Sequence, residues 1–389
     1  MGSCENLMLI MGSNPLPNYI TAKIMRPKMV HLIHTKETET LAIKLKEILE
    51  RSEISGTLHP MGSVREACKI EAFYEKLFDD LDADFHLNYT GGTKVMAAYA
   101  RMIFDRYEKE PCHASYLDDA KGALIRDDGF IMKTLDQVDI NLSLQDMLEM
   151  HGITTSPLTV FNPSDIMVED SRKIFEKSKD NPKCLEELFL LFQKDKDFKS
   201  QKLKYKEAKN KPLELHIDGL DLSKRQFPQK GDSEQLYDEW QGFLQGKWLE
   251  FWTANVLSKV LPPETSVYVN IRCEIEKEGI KRPFEIDLAF IHRNRLFIMS
   301  CTTGDSLSLC KSKLFEASVR GRQMGGDLAR IALVTLIDGK SNGQKRIDEL
   351  RRDLAYEWTK SKYTRVFGKQ DLIGWSENIS DELEDWLQS

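Results

Sequence analysis

Short apolar runs alternate with amphipathic stretches over the first third of the chain. Leu7-Met8-Leu9-Ile10-Met11 reads as a buried strand, and Met29–His34 as a second. Lys36 to Arg51 predicts a helix whose apolar stripe is Leu41, Ile43, Leu45, Ile48 and Leu49. A helix over 64–81, a strand over 84–89, a helix over 92–107 and a strand over 113–117 continue the series. Strands separated by helices pair in parallel through right-handed crossovers, so this part predicts an open, doubly wound α/β sheet.

A hairpin (123–126 and 130–133) and a helix over 144–150 come next, with Gly152 placed to end that helix. From 162 to about 232 the chain is rich in Lys, Asp and Glu and includes charge runs at 194–197 and 202–206. This stretch reads as a helical connector with solvated faces. A new pattern begins near Ser233. A long helix over 238–260 carries Trp240, Trp248, Leu249, Phe251 and Trp252, with the tryptophans on one buried face. Strands over 266–274, 284–291 and 296–302 follow, the last two joined by a turn at 292–295. A helix over 307–322 ended by Gly325-Gly326, a strand over 329–337 and a helix over 347–358 complete the pattern. Helix, three strands, helix, strand is an α/β core with a mixed sheet. The expected division is therefore 1–149, a Rossmann-like domain; 150–232, a mainly helical connector; and 233–389, a second α/β domain.

Composition narrows the function classes. The 389 residues are 41% hydrophobic and 30% charged, enough for more than one core, and the formal charge is −7. Any nucleic-acid surface must then be a local basic patch. Seven cysteines, odd in number and without CxxC spacing, point away from a disulfide framework or zinc site and towards a reducing, cytoplasmic compartment. No signal peptide or apolar run near 20 residues is present.

Two loops follow strands of the first domain: Gly12-Ser13-Asn14-Pro15-Leu16-Pro17, and Thr90-Gly91-Gly92-Thr93-Lys94, which opens a helix. In a parallel sheet both fall on the carboxyl edge, where ligands bind. Glycines admit close backbone approach, helix-start amides favour a phosphate, Lys94 adds a positive charge, and Ser13, Thr90 and Thr93 add hydroxyls. The same residues also make a plain glycine turn with a threonine cap, and Thr35 serves equally as a ligand contact or a helix N-cap. Taken together and in order, the GSNPLP loop, the LIHTKET segment and the YTGGTK loop resemble the CARF domain, the CRISPR-associated Rossmann fold. The resemblance implies a homodimer that binds cyclic oligoadenylate, cyclic tetra-adenylate being favoured. It places Gly12, Ser13, Asn14, Thr35, Thr90, Gly91, Gly92, Thr93 and Lys94 at the ligand.

Phe284-Glu285-Ile286-Asp287-Leu288, the strand Leu296–Thr303, and Gly246-Lys247-Trp248-Leu249-Glu250 resemble the restriction-endonuclease-like PD-(D/E)XK core of CARF-linked endonucleases. In that chemistry carboxylates hold Mg²⁺ or Mn²⁺, which activates water, and a lysine assists. Glu285 and Asp287, two apart on a strand, share a face. Glu250 would join them from the neighbouring helix, with Glu250 and Asp287 as metal ligands. The chain departs from the family at the (D/E)XK position, which reads Ser300-Cys301-Thr302. Three explanations are open: the missing groups have moved to Lys311, Lys313 or Glu316 on the next helix, Lys313 and Glu316 sharing a face; the site works with Glu250, Asp287 and a differently placed metal; or the fold is kept for binding. Lys313 and Glu316 also read as a surface ion pair extended by Arg320. Arg320, Arg322 and Lys281-Arg282 form a candidate phosphate-gripping patch.

The expectation is a cyclic-oligoadenylate-activated, metal-dependent endonuclease of antiviral type III CRISPR defence, acting on RNA or DNA, with Glu250, Glu285, Asp287, Ser300 and Lys313 in the catalytic set. The alternative is a ligand-gated module that binds nucleic acid or protein through an inactive nuclease fold. A third reading has the CARF domain degrade its own ligand, since in-line attack by a ribose hydroxyl needs only positioning.

Overall fold

The computed structural model describes residues 4–81, 85–107, 110, 113–119, 121–181, 183–185, 222, 242–277, 279–304, 306–337, 347–353, 363–378 and 380–389. The first domain runs β1 (Asn6–Ile10), α1 (Leu16–Met25), β2 (Met29–His34), α2 (Glu39–Glu50), β3 (Ser55–Pro60), α3 (Ala67–Asp80), β4 (Phe85–Asn88), α4 (Lys94–Arg106), β5 (Ala114–Asp118), β6 (Ala123–Arg126) and β7 (Ile131–Thr134). One sheet holds all seven strands in the order β3-β2-β1-β4-β5-β6-β7. The first four pairings are parallel and the last two antiparallel. Buried runs such as Leu7-Met8-Leu9-Ile10 explain the central strands, since helices cover both faces of a parallel sheet.

Three local expectations change. Ile43 is 39% exposed, and α2 buries Ala42, Leu45, Ile48 and Leu49 instead. Thr38, not Thr35, stands at the N-cap of α2. The two prolines of the first loop begin a helix: Pro15 is the N-cap of α1, and Pro17 lies in its first turn, where no amide hydrogen is needed.

The second sheet is ordered β13-β12-β11-β10-β9-β8. It is built by β8 (Ile153–Thr155), β9 (Val267–Lys277), β10 (Ile280–His292), β11 (Arg295–Thr302), β12 (Arg330–Thr335) and β13 (Thr364–Phe367). Around it pack α6 (Ile166–Asp180), α7 (Trp248–Val260), α8 (Leu307–Gly325), α9 (Lys369–Glu377) and α10 (Asp381–Gln388); α5 (Leu144–Met150) links the two sheets. Gly152, at φ 67, lets the chain turn from α5 into β8, so the stretch read as connector begins with a strand of the second sheet. Then α6 lies on α7, its Phe175 stacked on Trp252 with ring centroids 4.0 Å apart. Trp248 and Trp252 are buried; Trp240, both charge runs and positions 186–221 and 223–241 lie outside the described residues. Among the described residues no helix is long and apolar enough to cross a membrane.

The domains meet through a continuous apolar core. Leu135, Ile140, Leu142 and Met147 from one side join Leu296, Met324, Leu328 and Ala329 from the other. Asn294 donates to the carbonyl of Leu135 at 2.8 Å, and Arg295 is nearly buried against Asp136.

His86, on β4, is buried with its Nε2 2.8 Å from Ser115 Oγ. Burial, with smaller help from His113 and Arg126, pushes its pKa from 6.5 down to about 4. The unfolded chain therefore takes up this proton first, and stability falls as pH drops from 6.5 towards 4. His86 alone should contribute about 2 kcal/mol of loss at pH 5 relative to pH 7.5, beside the similarly buried His31 and His151. Denaturant unfolding at both values checks it: His86→Gln should make the fall smaller by about 2 kcal/mol, and an unchanged fall in the variant refutes the assignment.

Candidate functional site

At the carboxyl edge of the first sheet, β1 and β4 are adjacent although β2 and β5 leave in opposite directions. This is the switch point of the sheet, and both glycine loops stand on it. They are pressed together so closely that side chains are excluded. A Cβ on Gly91 would lie 2.0 Å from the carbonyl oxygen of Ile10, and one on Gly12 would lie 3.1 Å from the amide nitrogen of Gly92. Gly92 adds a φ of 78°, open to glycine. Thr93 caps α4, its Oγ1 accepting from the Met96 amide at 3.2 Å. Ser13, Thr93 and Lys94 are exposed beside the first amides of α4. Backbone donors, a hydroxyl and a cation thus converge on open surface, which suits a phosphate.

The other expected contacts divide. Thr90 spends its hydroxyl inside the protein, accepting from the Leu117 amide at 2.7 Å. Thr35 is buried at the end of β2 beside an open recess of about 390 Å³ lined also by Lys36, Glu37, Pro60 and Gly62. Its amide donates to Thr38 Oγ1. Asn14 turns inward: its Oδ1 accepts from the Leu16 amide at 3.0 Å and lies 3.1 Å from His151 Nε2. Sequence reading missed Asn18, which is buried on α1 and donates to the Ile10 carbonyl at 3.0 Å, the same carbonyl that excludes a side chain at Gly91. An asparagine on the buried face of an otherwise apolar helix start was the available signal.

The second cluster lies where β10 and β11 part. Their ladder ends at Leu288 opposite Met299. Beyond it, the Asp287 side chain takes over: its Oδ2 accepts from the Cys301 amide at 2.8 Å and from Ser300 Oγ at 2.9 Å. Lys313, from α8, brings its Nζ to 3.7 Å from the same oxygen. Asp287 and Lys313 line a cleft with Glu285, Ser300, Glu316 and Arg320. The reading of Lys313, Glu316 and Arg320 as a surface ion-pair row is not what forms. Lys313 pairs with Asp287, and the Arg320 guanidinium lies over the Phe284 ring at 4.0 Å. Lys311 pairs with Asp353, and Lys281 with Glu274.

Glu250 enters from the first turn of α7 and is buried, with no hydrogen-bond partner for Oε2 among the described residues. Burial above all, then the negative charge of Asp287, pushes its carboxyl well above the usual range, while Lys247 and Lys313 pull the other way. Glu285 shares the strand face of Asp287, yet its Oε1 is held by Lys247 at 2.6 Å, and the same Nζ reaches Asn270. Three carboxylates on one ion are therefore not assembled; among the described residues no group of three His, Cys, Asp or Glu side chains is placed to hold a metal. Two remain, Glu250 and Asp287. A buried carboxylate oxygen without a donor, beside a second acid, fits a divalent cation that takes only one or two protein carboxylates and completes its shell with water or phosphate. Cys301 is buried, and its thiol is pushed up by that burial and by the two acids, so it is no nucleophile.

No family model matches the chain, and no curated protein matches it. Solved structures do, at low identity. Protein VC1899 from Vibrio cholerae aligns over 100% of this chain and 99% of its own, with TM-score 0.70 and 15% identity. Can2 from Sulfobacillus thermosulfidooxidans, solved in complex with cyclic tetra-adenylate, aligns over 100% and 98%, with TM-score 0.65 and 14% identity. A type III CRISPR defence DNA nuclease activated by cyclic oligoadenylate aligns over 86% of this chain and 46% of its own, with TM-score 0.52 and 16% identity. Full-length agreement with the first two shows that this chain shares their fold, a Rossmann-like α/β domain joined to a second α/β domain.

Proposed function

We propose that this chain is a cyclic-oligoadenylate-activated, metal-dependent endonuclease that hydrolyses phosphodiester bonds in RNA or DNA and works as a homodimer in the cytoplasm. One observation carries the reading: Lys313 stands beside Asp287, next to the buried Glu250, in a site whose β11 strand has lost its own lysine and acid. A charge so placed restores what Ser300 and Thr302 lack. Two neighbours of the fold, one bound to cyclic tetra-adenylate and one a nuclease activated by cyclic oligoadenylate, support the pairing of ligand and activity.

Glu250 and Asp287 would hold Mg²⁺ or Mn²⁺, which lowers the pKa of bound water and stabilises charge on phosphorus. The remaining roles belong to the chain itself. Ser300 and the Cys301 amide fix the Asp287 carboxylate through Oδ2. Lys313 offers a positive charge at the cleft, and Arg320, braced on Phe284, offers a planar donor to a phosphate. Lys247 neutralises Glu285, so the cleft repels a polyanion less than its acids alone would. In the sensor domain, Ser13, Gly91, Gly92, Thr93 and Lys94 would bind ligand phosphate, and a two-fold ring fits a two-fold dimer.

The test incubates purified protein with labelled RNA and DNA, cyclic tetra-adenylate, and Mg²⁺ or Mn²⁺. Cleavage that requires both ligand and metal is expected. Tight ligand binding without cleavage under any of these metals would instead favour the ligand-gated binding module. Loss of the ligand itself without added metal would favour self-degradation.

A further inference from the structure

Asn14 sits on the ligand loop but faces the effector domain. Three elements meet at its amide: the start of α1 through Leu16, the end of α5 through His151, and the turn that ends α8 through Gly326. A Cβ on Gly326 would lie 2.7 Å from Asn14 Nδ2, so the amide rests directly on that turn.

The hydrogen-bond inventory at this point does not balance. His151 Nδ1 lies 2.7 Å from the Met147 carbonyl, which only accepts, so Nδ1 keeps its hydrogen. Burial holds the ring neutral, with a pKa pushed down to about 4. Nε2 is then an acceptor as well, and it faces Asn14 Oδ1, another acceptor already engaged by the Leu16 amide. One amide orientation serves Leu16 and opposes His151; the other donates to His151 and releases Leu16. A side chain with two settings, each serving one neighbour and opposing another, at the contact of two domains, can act as a two-state element.

We propose that Asn14 is a positioning residue, the joint through which an occupied β1 loop sets α8 and with it Lys313. The inference rests on the nuclease reading above and names the regulation of that site. Ligand at Ser13 and Gly12 moves the adjacent Asn14, whose amide changes partner and shifts the Gly326 turn. Along the helix, at about 1.5 Å per residue, the displacement travels roughly 18 Å from Gly325 to Lys313. Lys313 needs to move little, since at 3.7 Å from Asp287 it is just beyond a direct hydrogen bond.

Hydrogen exchange of peptides covering 306–325 tests this in the full chain, with and without cyclic tetra-adenylate, in wild type, Asn14→Ala and Gly326→Ala. Calorimetry measures ligand affinity in parallel. In wild type, ligand should change exchange in α8 several-fold. Both variants should bind ligand within about 3-fold of wild type while α8 stops responding, and ligand stimulation of cleavage should fall about 10-fold or more, the usual scale of coupling between sites. A response of α8 that survives in both variants overturns the joint, as does a wild-type helix indifferent to bound ligand. A wild type whose α8 responds but which cuts nothing overturns the nuclease reading and leaves the joint standing. A wild type that binds no cyclic tetra-adenylate overturns both.

Discussion

Asp287→Asn is expected to lower ligand-dependent cleavage at least ~10³-fold, equivalent to about 4 kcal/mol of lost transition-state stabilisation. The residue combines three roles that no neighbour duplicates. Its negative charge faces the buried Glu250, its Oδ2 receives Ser300 and the Cys301 amide, and the same oxygen faces Lys313. Asparagine keeps the shape and one acceptor for Cys301, so the β10–β11 junction stays closed. Alanine would leave two buried donors without a partner and cost about 1–3 kcal/mol of stability for each. The conservative variant separates the lost charge from a damaged fold, and its melting temperature should stay near that of wild type. Ligand affinity, measured by calorimetry, should not move, because the sensor loops lie on the other sheet. Cleavage retained within 10-fold in Asp287→Asn would place the reacting centre elsewhere and remove Glu250 and Lys313 from it as well.

How much of this was readable beforehand depends on the distance over which each feature is specified. Leu7–Ile10 and Met29–His34 announce themselves because strands buried on both faces need only a local apolar run. β3, Ser-Gly-Thr-Leu-His-Pro, is an edge strand with a half-exposed pattern, and no local signal separates it from a loop. α6 is hidden inside a charge-rich stretch; only its Asp165 cap, accepting from Met167, marks its start. The site follows the same rule. Two-residue spacing put Glu285 and Asp287 on one face, and helical spacing put Lys313 among the residues that face the cleft. Lys247 escaped a role because its partners, Asn270 and Glu285, stand 23 and 38 residues away. His151, 137 residues from Asn14, was beyond any local inference. Local spacing specifies which side chains share a surface; pairings across the fold decide which of them are still free to act.

Gly91→Ala is expected to abolish ligand binding at concentrations 100-fold above those that saturate the wild type. The reason is space rather than dihedral freedom. The added methyl would stand 2.0 Å from the Ile10 carbonyl oxygen and 3.4 Å from Asn18 Oδ1. The carbonyl cannot yield cheaply, because Asn18 Nδ2 already donates to it and β1 is an interior strand, paired with β2 on one side and β4 on the other. The loop from Thr90 to Lys94 must move instead. With it go the Thr90 bond to the Leu117 amide and the Thr93 cap of α4, the features that aim free amides at a phosphate. Overpacking of this kind costs about 1–3 kcal/mol of stability where the structure can adjust, so the fold should survive with a lower melting temperature while the cradle does not. Gly374→Ala is the matched control: nothing lies within 4 Å of its added methyl, it sits in α9, and alanine favours a helix over glycine by about 1 kcal/mol. That variant should bind ligand normally and melt no lower than wild type. Calorimetric titration with cyclic tetra-adenylate decides the matter: normal affinity in Gly91→Ala would mean that the paired glycine loops do not form the ligand site, and the recess beside Thr35 would become the place to look for it.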